Sequence, residues 1–188
     1  MRNITIDQAE DYLHAVDKQM GEWGQICAKK DQPPLCSFAF RPPSTASELF
    51  CLAQHLVAWL PRGEWIMLKG DHSNALEERA QVTLNRLLRQ EDDATEILSQ
   101  PFLFEFSGSP AVDRQTEWGL ATVVYFFLLF EGHVHIVSSA IGSQKILSIQ
   151  DGVVCLWTDI DSAAASRQFL ADFERNPLAY PHEQQSIK

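Results

Sequence analysis

The pair Asp151-Gly152 stands between two apolar runs and constrains the fold of this chain more than any other feature. The flanking residues 145–150 and 153–158 supply Ile, Val and Trp side chains, which are enriched in β-strands. Asp-Gly readily adopts the positive φ angles of a two-residue hairpin turn. The sequence therefore predicts a β-hairpin here, and with it antiparallel pairing in the second half of the chain.

Several other short segments have the composition or the two-residue period of strands. Phe102, Phe104 and Phe106 alternate with other residues, as the side chains on one face of a strand do. One segment lies between two pairs of prolines and is expected at a sheet edge, because proline cannot donate a ladder hydrogen bond. These predicted strands comprise residues 35–40, 64–69, 101–106 and 133–139.

The most apolar run of the chain extends from Gly119 to Phe130. It holds about twelve residues, whereas a helix that spans a membrane needs about twenty. Its β-branched and aromatic side chains favour a buried strand over residues 118–130.

Helix start signals precede four segments in which apolar residues recur at helical spacing. Thr5 and Gln8 form a capping-box pattern, and Thr45 with Glu48 forms another. The first predicted helix buries a stripe made of Ile6, Ala9, Leu13, Val16 and Met20. The four helices are expected from Thr5 to Gly21, from Ser44 or Thr45 to Pro61, from Ser73 to Gln90, and from Ser162 to Glu174.

Consecutive strands with short turns, together with segregated helices, predict an α+β fold. We expect an antiparallel meander of about five strands packed by about four helices. The chain has 188 residues, the size of one domain, so residues 1–178 are predicted to form a single domain. Residues 179–188 are expected to be a flexible tail.

The formal net charge of −10 narrows the classes of partner. Contacts to nucleic-acid phosphates need clustered Lys and Arg, so an acidic chain is not expected to bind nucleic acid or an anionic membrane. The same charge attracts a basic protein. The four cysteines form no CxxC pair and no secretory signal opens the chain, so we expect free thiols and a cytoplasmic location.

No recognised catalytic, metal or cofactor motif is present, and we predict neither a cofactor nor a metal site. His133 and His135 could face one side of a strand, but zinc needs a third ligand that the sequence does not identify. Cys51 and His55 lie one helical turn apart, within an apolar run that favours burial of the thiol. The adjacent residues Asp71-His72-Ser73 cannot form a hydrolase triad and are simpler to interpret as a turn with a helix cap.

What remains is a pattern of surface charge with aromatic residues. Acidic clusters are usually solvated faces, but they also accelerate association with a basic protein. Aromatic residues then supply much of the affinity, and Trp23 is the tryptophan that we expect to be most exposed. The predicted partner-binding residues are Glu91, Asp92, Asp93, Glu96, Asp159, Asp161 and Trp23.

In general character the chain resembles immunity proteins of bacterial contact-dependent and other polymorphic toxin systems. The resemblance lies in the acidic stretch Glu91-Asp92-Asp93-Ala94-Thr95-Glu96, the acidic first helix and the absence of a catalytic motif. It implies a cytoplasmic protein that neutralises a cognate toxin, often a basic nuclease, by occluding its active site. A secretion chaperone and an enzyme of unidentified class remain alternatives, and oligomeric state and salt sensitivity separate the first from the immunity protein.

Overall fold

A computed structural model describes residues 2–21, 26–29, 32–63, 65–69, 101–105, 110–138, 140 and 144–178. Within these ranges the helices are α1 (Ile6–Ala15), α2 (Ala46–Trp59), α3 (Pro110–Leu129) and α4 (Ala163–Arg175). The strands are β1 (Arg2–Asn3), β2 (Lys18–Met20), β3 (Ile26–Ala28), β4 (Cys36–Phe40), β5 (Trp65–Lys69), β6 (Phe102–Phe104), β7 (Val134–Ser138), β8 (Ile146–Gln150) and β9 (Val153–Thr158).

Seven strands form one antiparallel sheet in the order β1-β6-β5-β7-β8-β9-β4, and β2 pairs with β3 in a separate hairpin. The α+β class is confirmed. The sheet is wider than the expected meander of about five strands, because β1 and β4 from the start of the chain are added at its two edges. The predicted edge strand at residues 35–40 is confirmed as β4, which pairs with β9 and with no other strand among the described residues.

The predicted hairpin joins β8 to β9. Gln150 pairs with Val153, and the turn residues Asp151 and Gly152 have φ angles of 51° and 67°. Positive φ at both central positions is the requirement that Asp-Gly satisfies at low cost. The prediction drawn from this dipeptide is therefore confirmed.

Helix α1 begins as predicted and ends earlier than predicted. The Thr5 hydroxyl accepts a hydrogen bond from the Gln8 amide at 3.2 Å, and the Gln8 side chain returns one to Thr5. The expected extension to Gly21 is wrong, because Asp17 adopts a φ of 56° and turns the chain into β2. Ile6, expected in the buried stripe, is 55% exposed, whereas Ala9, Leu13 and Val16 are buried as predicted.

The largest difference from the predicted elements is α3. Residues 118–130, expected as a buried strand, form most of this 20-residue helix. Their buried members recur at helical spacing, namely Leu120, Ala121, Val123, Val124, Phe127 and Leu128. The high β-propensity of the run is overridden by packing against α2 and the sheet, which buries this face in the larger core.

The two faces of the sheet are covered differently. On the helix face, α2, α3 and α4 pack a large apolar core that includes Leu56, Trp65 and Phe127. On the hairpin face, α1 and the β2–β3 hairpin cover a smaller core around Leu13, Ile66 and Val137. No helix in the described ranges is long and apolar enough to cross a membrane.

Some predictions concern residues outside these ranges. They are the helix from Ser73 to Gln90, the turn at Asp71-His72-Ser73 and the tail at residues 179–188.

Candidate partner-binding surface

The outer side of α3 carries an exposed apolar surface, which we term the aromatic strip. Trp118, Leu129 and Phe130 are 49%, 41% and 40% exposed. Tyr125 and Phe126 lie between them on the helix and are half-buried, and Phe50 of α2 joins them from the side. The strip therefore consists of Phe50, Trp118, Tyr125, Phe126, Leu129 and Phe130.

The rings of the strip form one continuous ladder. Phe50 lies between Trp118 and Tyr125, with ring centroids separated by 5.9 and 5.6 Å. Tyr125 makes an edge contact with Phe126 at 6.1 Å, and Phe126 stacks on Phe130 at 5.8 Å. These separations are typical of favourable aromatic pairs. Each ring thus limits the freedom of the next, and the exposed surface is held in one arrangement.

The strip follows from helical geometry applied to an unbroken apolar run. Residues 118, 122, 125, 126, 129 and 130 lie on one side of a helix, and the buried residues lie on the other. No charged residue occurs between Trp118 and Phe130. A helix on the surface of a protein ordinarily presents polar side chains to water. The outer side of α3 is apolar instead, as is typical of an interaction site.

Charged residues stand at both ends of the strip, and only the carboxyl-terminal end has a clear excess of one sign. At the amino-terminal end, Arg114 is exposed one turn before Trp118, and Arg62 binds Glu117 at 3.0 Å. At the carboxyl-terminal end are two exposed carboxylates, Glu131 and Asp151.

The two carboxylates of this acidic end lie at one corner, beside the β8–β9 turn. The carboxyl carbon of Glu131 is 3.5 Å from the position that a Cβ would occupy on Gly152. Asp151 is 81% exposed and contacts His133 Nε2 at 2.7 Å. Negative charge is thus concentrated where Leu129 and Phe130 end the strip.

Two of the acidic residues predicted from the sequence, Asp159 and Asp161, are described, and both lie away from this surface. Asp159 and Asp161 follow β9, at the end of the strand opposite to the Asp151 turn. Asp159 accepts a hydrogen bond from the Ser162 amide at 2.7 Å. Burial opposes ionisation of this carboxyl, but the hydrogen bonds from Ser162 outweigh it and lower the pKa of Asp159. Its role in the structure is to order the start of α4.

Asp161 is exposed, as predicted, and lies in the same loop as Asp159, away from the strip. The remaining predicted site residues fall outside the described ranges, namely Glu91, Asp92, Asp93, Glu96 and Trp23.

The structure does not join His133 and His135 into a metal site. His135 is buried on the hairpin face, where its Nδ1 and the Ser148 hydroxyl share a hydrogen bond of 2.8 Å. Burial, with a smaller contribution from His133, lowers the pKa of His135 to about 4. His133 instead contacts Asp151. Within the described part of the chain, no group of three or more His, Cys, Asp or Glu residues could hold a metal ion.

Cys51 and His55 meet, but not as a reactive pair. The Nδ1–H group of His55 donates to the backbone carbonyl of Cys51 at 2.8 Å, rather than to the thiol. Burial raises the pKa of the Cys51 thiol and lowers the pKa of His55. A nucleophilic cysteine needs the opposite shift, so this arrangement gives no thiolate.

Two lysines with unusual surroundings, the buried Lys18 and the half-buried Lys145, were not predicted from the sequence. Lys18 of the hairpin is fully buried, and its amine donates to the carbonyl of Val16 and to Gln144 Oε1. Lys145 donates to the carbonyl of Trp59 at 2.8 Å and lies over that indole ring. Burial lowers the pKa of both amines. The attraction of Asp17 and Asp159 opposes this shift at Lys18, and the attraction of Asp159 opposes it at Lys145. These lysines connect the hairpin and α2 to the start of β8.

Comparisons with protein-family models, with curated proteins and with solved structures give no significant match. The aromatic strip is therefore assessed on its geometry alone. One sequence signal could have indicated it, namely a run too apolar on every side for an ordinary surface helix.

Proposed function

We propose that this protein binds another protein through the aromatic strip, and that its function is to neutralise a basic bacterial toxin domain by covering the toxin's active site. The observation that carries the proposal is the exposed ladder of rings formed by Phe50 and four residues of α3 and its end. An exposed and contiguous apolar surface on a folded protein marks an interaction site.

The residue types of the strip support a protein partner. Trp and Tyr are enriched among the residues that dominate binding energy, and they do so when they are packed at the centre of an interface. Among the tryptophans that the structure describes, Trp118 is the most exposed, at 49%, so it is the candidate aromatic anchor. Its contact with Phe50 pre-organises the indole before binding.

The charge of the protein supports a basic partner. A net charge of −10 raises the association rate with a positively charged protein. Glu131 and Asp151 place two carboxylates beside the apolar contact. On a nuclease, these carboxylates would occupy positions of substrate phosphates while the strip covers the adjacent surface.

A site-specific crosslinking experiment tests the proposal. A photoreactive amino acid replaces Trp118 in one variant and Trp157, an exposed tryptophan on the hairpin face, in a control variant. We expect a single basic protein to be captured from the native cell at position 118 and not at position 157. That protein, expressed alone, should arrest growth, and co-expression of this chain should relieve the arrest.

The relief should depend on the strip. The variant W118A/F130A should fail to relieve growth arrest, while W157A should relieve it fully. Equal relief by both variants would exclude the strip as the neutralising surface. A captured protein that is harmless alone would exclude toxin neutralisation.

A secretion chaperone is the second candidate, and the edge strand β4 is the observation that favours it. An extended client segment can add to an open sheet edge through backbone hydrogen bonds. This alternative would be favoured by a captured client that is partly unfolded. Its capture should then be lost on replacing Ala39 of β4 by proline, and not on replacing Trp118.

A further inference from the structure

The side of α2 that faces α4 buries a histidine whose hydrogen bonds are incomplete. His55 is 2% exposed. Its Nδ1–H group donates to the carbonyl of Cys51 at 2.8 Å, so the neutral ring has its lone pair on Nε2. Among the described residues, this buried Nε2 has no hydrogen-bond partner. A second proton on the ring would therefore lie on a nitrogen that no acceptor reaches, which is costly in a buried site.

Helix α4 encloses the same ring with two phenylalanines. The centroid of the His55 ring is 5.3 Å from that of Phe173, which it meets edge to face, and 6.0 Å from that of Phe169. An apolar enclosure favours the neutral imidazole over the charged one. Burial accordingly lowers the pKa of His55 below its ordinary value of 6.5, although the hydrogen bond to Cys51 opposes this shift.

The charged groups near this interface do not compensate a positive charge on His55. The thiol of Cys51 stays neutral, because burial raises its pKa. The carboxylate of Asp172 is already engaged, since it accepts hydrogen bonds from Gln168 at 2.7 Å and from Arg175 at 3.4 Å. In the described ranges, neither α3 nor β9 contributes a charged residue to the adjoining core. The other charged residues of α4 are exposed, namely Arg167, Glu174 and Arg175.

Helix α4 is held by a small buried surface. Of its 13 residues, Ser166 and Phe173 are buried, and Phe169 and Leu170 are partly buried. The Ser166 hydroxyl accepts a hydrogen bond from Trp59 Nε1 at 3.0 Å. An element with few buried apolar contacts can open locally while the rest of the protein stays folded. Opening of α4 would expose His55 to the water that a charged imidazole needs.

We propose that α4 is released from α2 in acid because His55 takes up a proton, so that the docking of this helix depends on pH. The released state binds the proton more readily than the docked state, since only the released state solvates the charge. Docking is therefore fully favoured above pH 6.5 and weakens as the pH falls below that value. Release uncovers an apolar surface made of Phe169, Leu170 and Phe173.

The acid-released helix is separate from the aromatic strip. The strip lies on α3 and Phe50, whereas His55 faces α4. Release needs no partner, so the purified full chain is sufficient to test it. Failure of the release would leave the neutralising function untouched, and failure of growth relief would leave the release untouched.

Hydrogen exchange at about pH 7.5 and about pH 5.5 tests the release. Protection factors, read by mass spectrometry, correct for the pH dependence of chemical exchange itself. The amides of wild-type α4 should lose protection several-fold, and at most about tenfold, the ceiling that an ordinary pKa of 6.5 sets over this interval. Asp159 orders the start of α4 and stays ionised over the interval, because its pKa is lowered.

Substitution of His55 removes the proton acceptor. H55F keeps an aromatic ring between Phe169 and Phe173, so its α4 should have the same protection at both pH values. H55N keeps a donor for the Cys51 carbonyl, should behave in the same way, and replaces H55F if that variant does not fold. Circular dichroism verifies the fold of each variant.

H135N is the matched control, because it removes the buried histidine of the hairpin face. Wild type and H135N should lose the same protection in α4. The proposal is overturned if wild type loses no protection in α4, or if the His55 variants lose as much as wild type. A loss that disappears in H135N would assign it to unfolding of the hairpin face and would also overturn the proposal.

Discussion

The two faces of the sheet are buried by different means. The helix face is covered by three helices over a large apolar core, with Leu52, Leu56 and Phe127 fully buried. It also buries two polar side chains, His55 and Ser166. The hairpin face is covered by a short helix and a two-stranded hairpin, and it buries Lys18, His135 and Ser148. The helix face is stabilised mainly by the burial of apolar surface. The hairpin face also depends on buried polar side chains, whose hydrogen bonds must be kept.

The two faces are therefore expected to differ in how they affect the free energy of unfolding and its dependence on pH. Apolar burial does not change with protonation, whereas a buried amine or imidazole does. The helix face is thus expected to set the overall stability. The hairpin face, with Lys18 and His135, is expected to set much of its dependence on pH.

The largest effect is expected in the core of the helix face. Leu56→Ala removes a fully buried side chain from α2 and leaves a cavity, so the free energy of unfolding should fall by about 3 kcal/mol. Chemical denaturation measures this. Ala58→Ser, at an exposed position of the same helix, is the control and should change stability by less than about 0.5 kcal/mol. A loss below about 1 kcal/mol for Leu56→Ala would mean that this core is not close-packed.

The second effect appears on acidification. The pKa of His135 is about 4 in the folded protein and 6.5 as its ordinary value. Between these pH values the unfolded chain binds more protons, so stability is fully present above pH 6.5 and is lost as pH falls toward 4. The loss should reach about 3 kcal/mol.

His135→Asn should remove that part of the pH dependence. Unfolding measured at neutral pH and near pH 4 should differ less in this variant than in wild type. His55 also has a lowered pKa and retains its own contribution on the helix face. An unchanged difference between the two pH values would show that His135 does not titrate as its burial requires.

The third effect lies at alkaline pH and involves Lys18. Burial lowers the pKa of its amine below 10.5, so in the window between these values the unfolded chain again binds more protons. Wild-type stability should therefore rise with pH through that window. Lys18→Met should reduce this rise, although Lys145, whose pKa is also lowered, retains its own contribution. Its stability at neutral pH should change by only about 1 kcal/mol, because lost hydrogen bonds offset the removed desolvation cost. A rise that is not reduced in Lys18→Met would assign it to another group.

The smallest effects concern two glycines. Gly152 has a φ of 67°, so Gly152→Ala should cost about 1 kcal/mol. Gly119 lies inside α3 with nothing within 4 Å of an added Cβ, so Gly119→Ala should stabilise by about 0.5–1 kcal/mol. Thermal unfolding of the two variants should shift in opposite directions. A shift in the same direction would contradict the assignment of either the turn or the helix.

Local chemistry predicted the elements that depend on a few residues. The Asp151-Gly152 turn and the caps at Thr5 and Thr45 needed no knowledge of the rest of the fold. Residues 118–130 could not be assigned in this way. A helix that is apolar on both its buried and its exposed side has no distinguishing period, so its β-branched residues indicated a strand. The exposed side that caused this error is the candidate binding surface.

The acidic corner and the surroundings of Lys18 and Lys145 were missed for a related reason. Glu131 and Asp151 are twenty residues apart in sequence and meet only because β7 and β8 are adjacent. Lys18 is buried only because the hairpin folds back over the sheet end near Gln144. The positions of these side chains depend on contacts between residues distant in the sequence, and local sequence patterns do not predict such contacts. The solvated acidic residues Asp159 and Asp161 were visible in the sequence but lie away from the strip.

The placement of the two edge strands has a consequence for synthesis on the ribosome. Strand β1 pairs with β6 and β4 pairs with β9, so these two early strands wait for partners that are made much later, whereas β2 and β3 pair with each other. At about 5–20 residues per second, β4 remains unpaired for roughly 6–24 s after it is translated. During that interval the proline pairs around β4 discourage pairing with other nascent chains. The prolines therefore protect the protein most at a stage before its sheet exists.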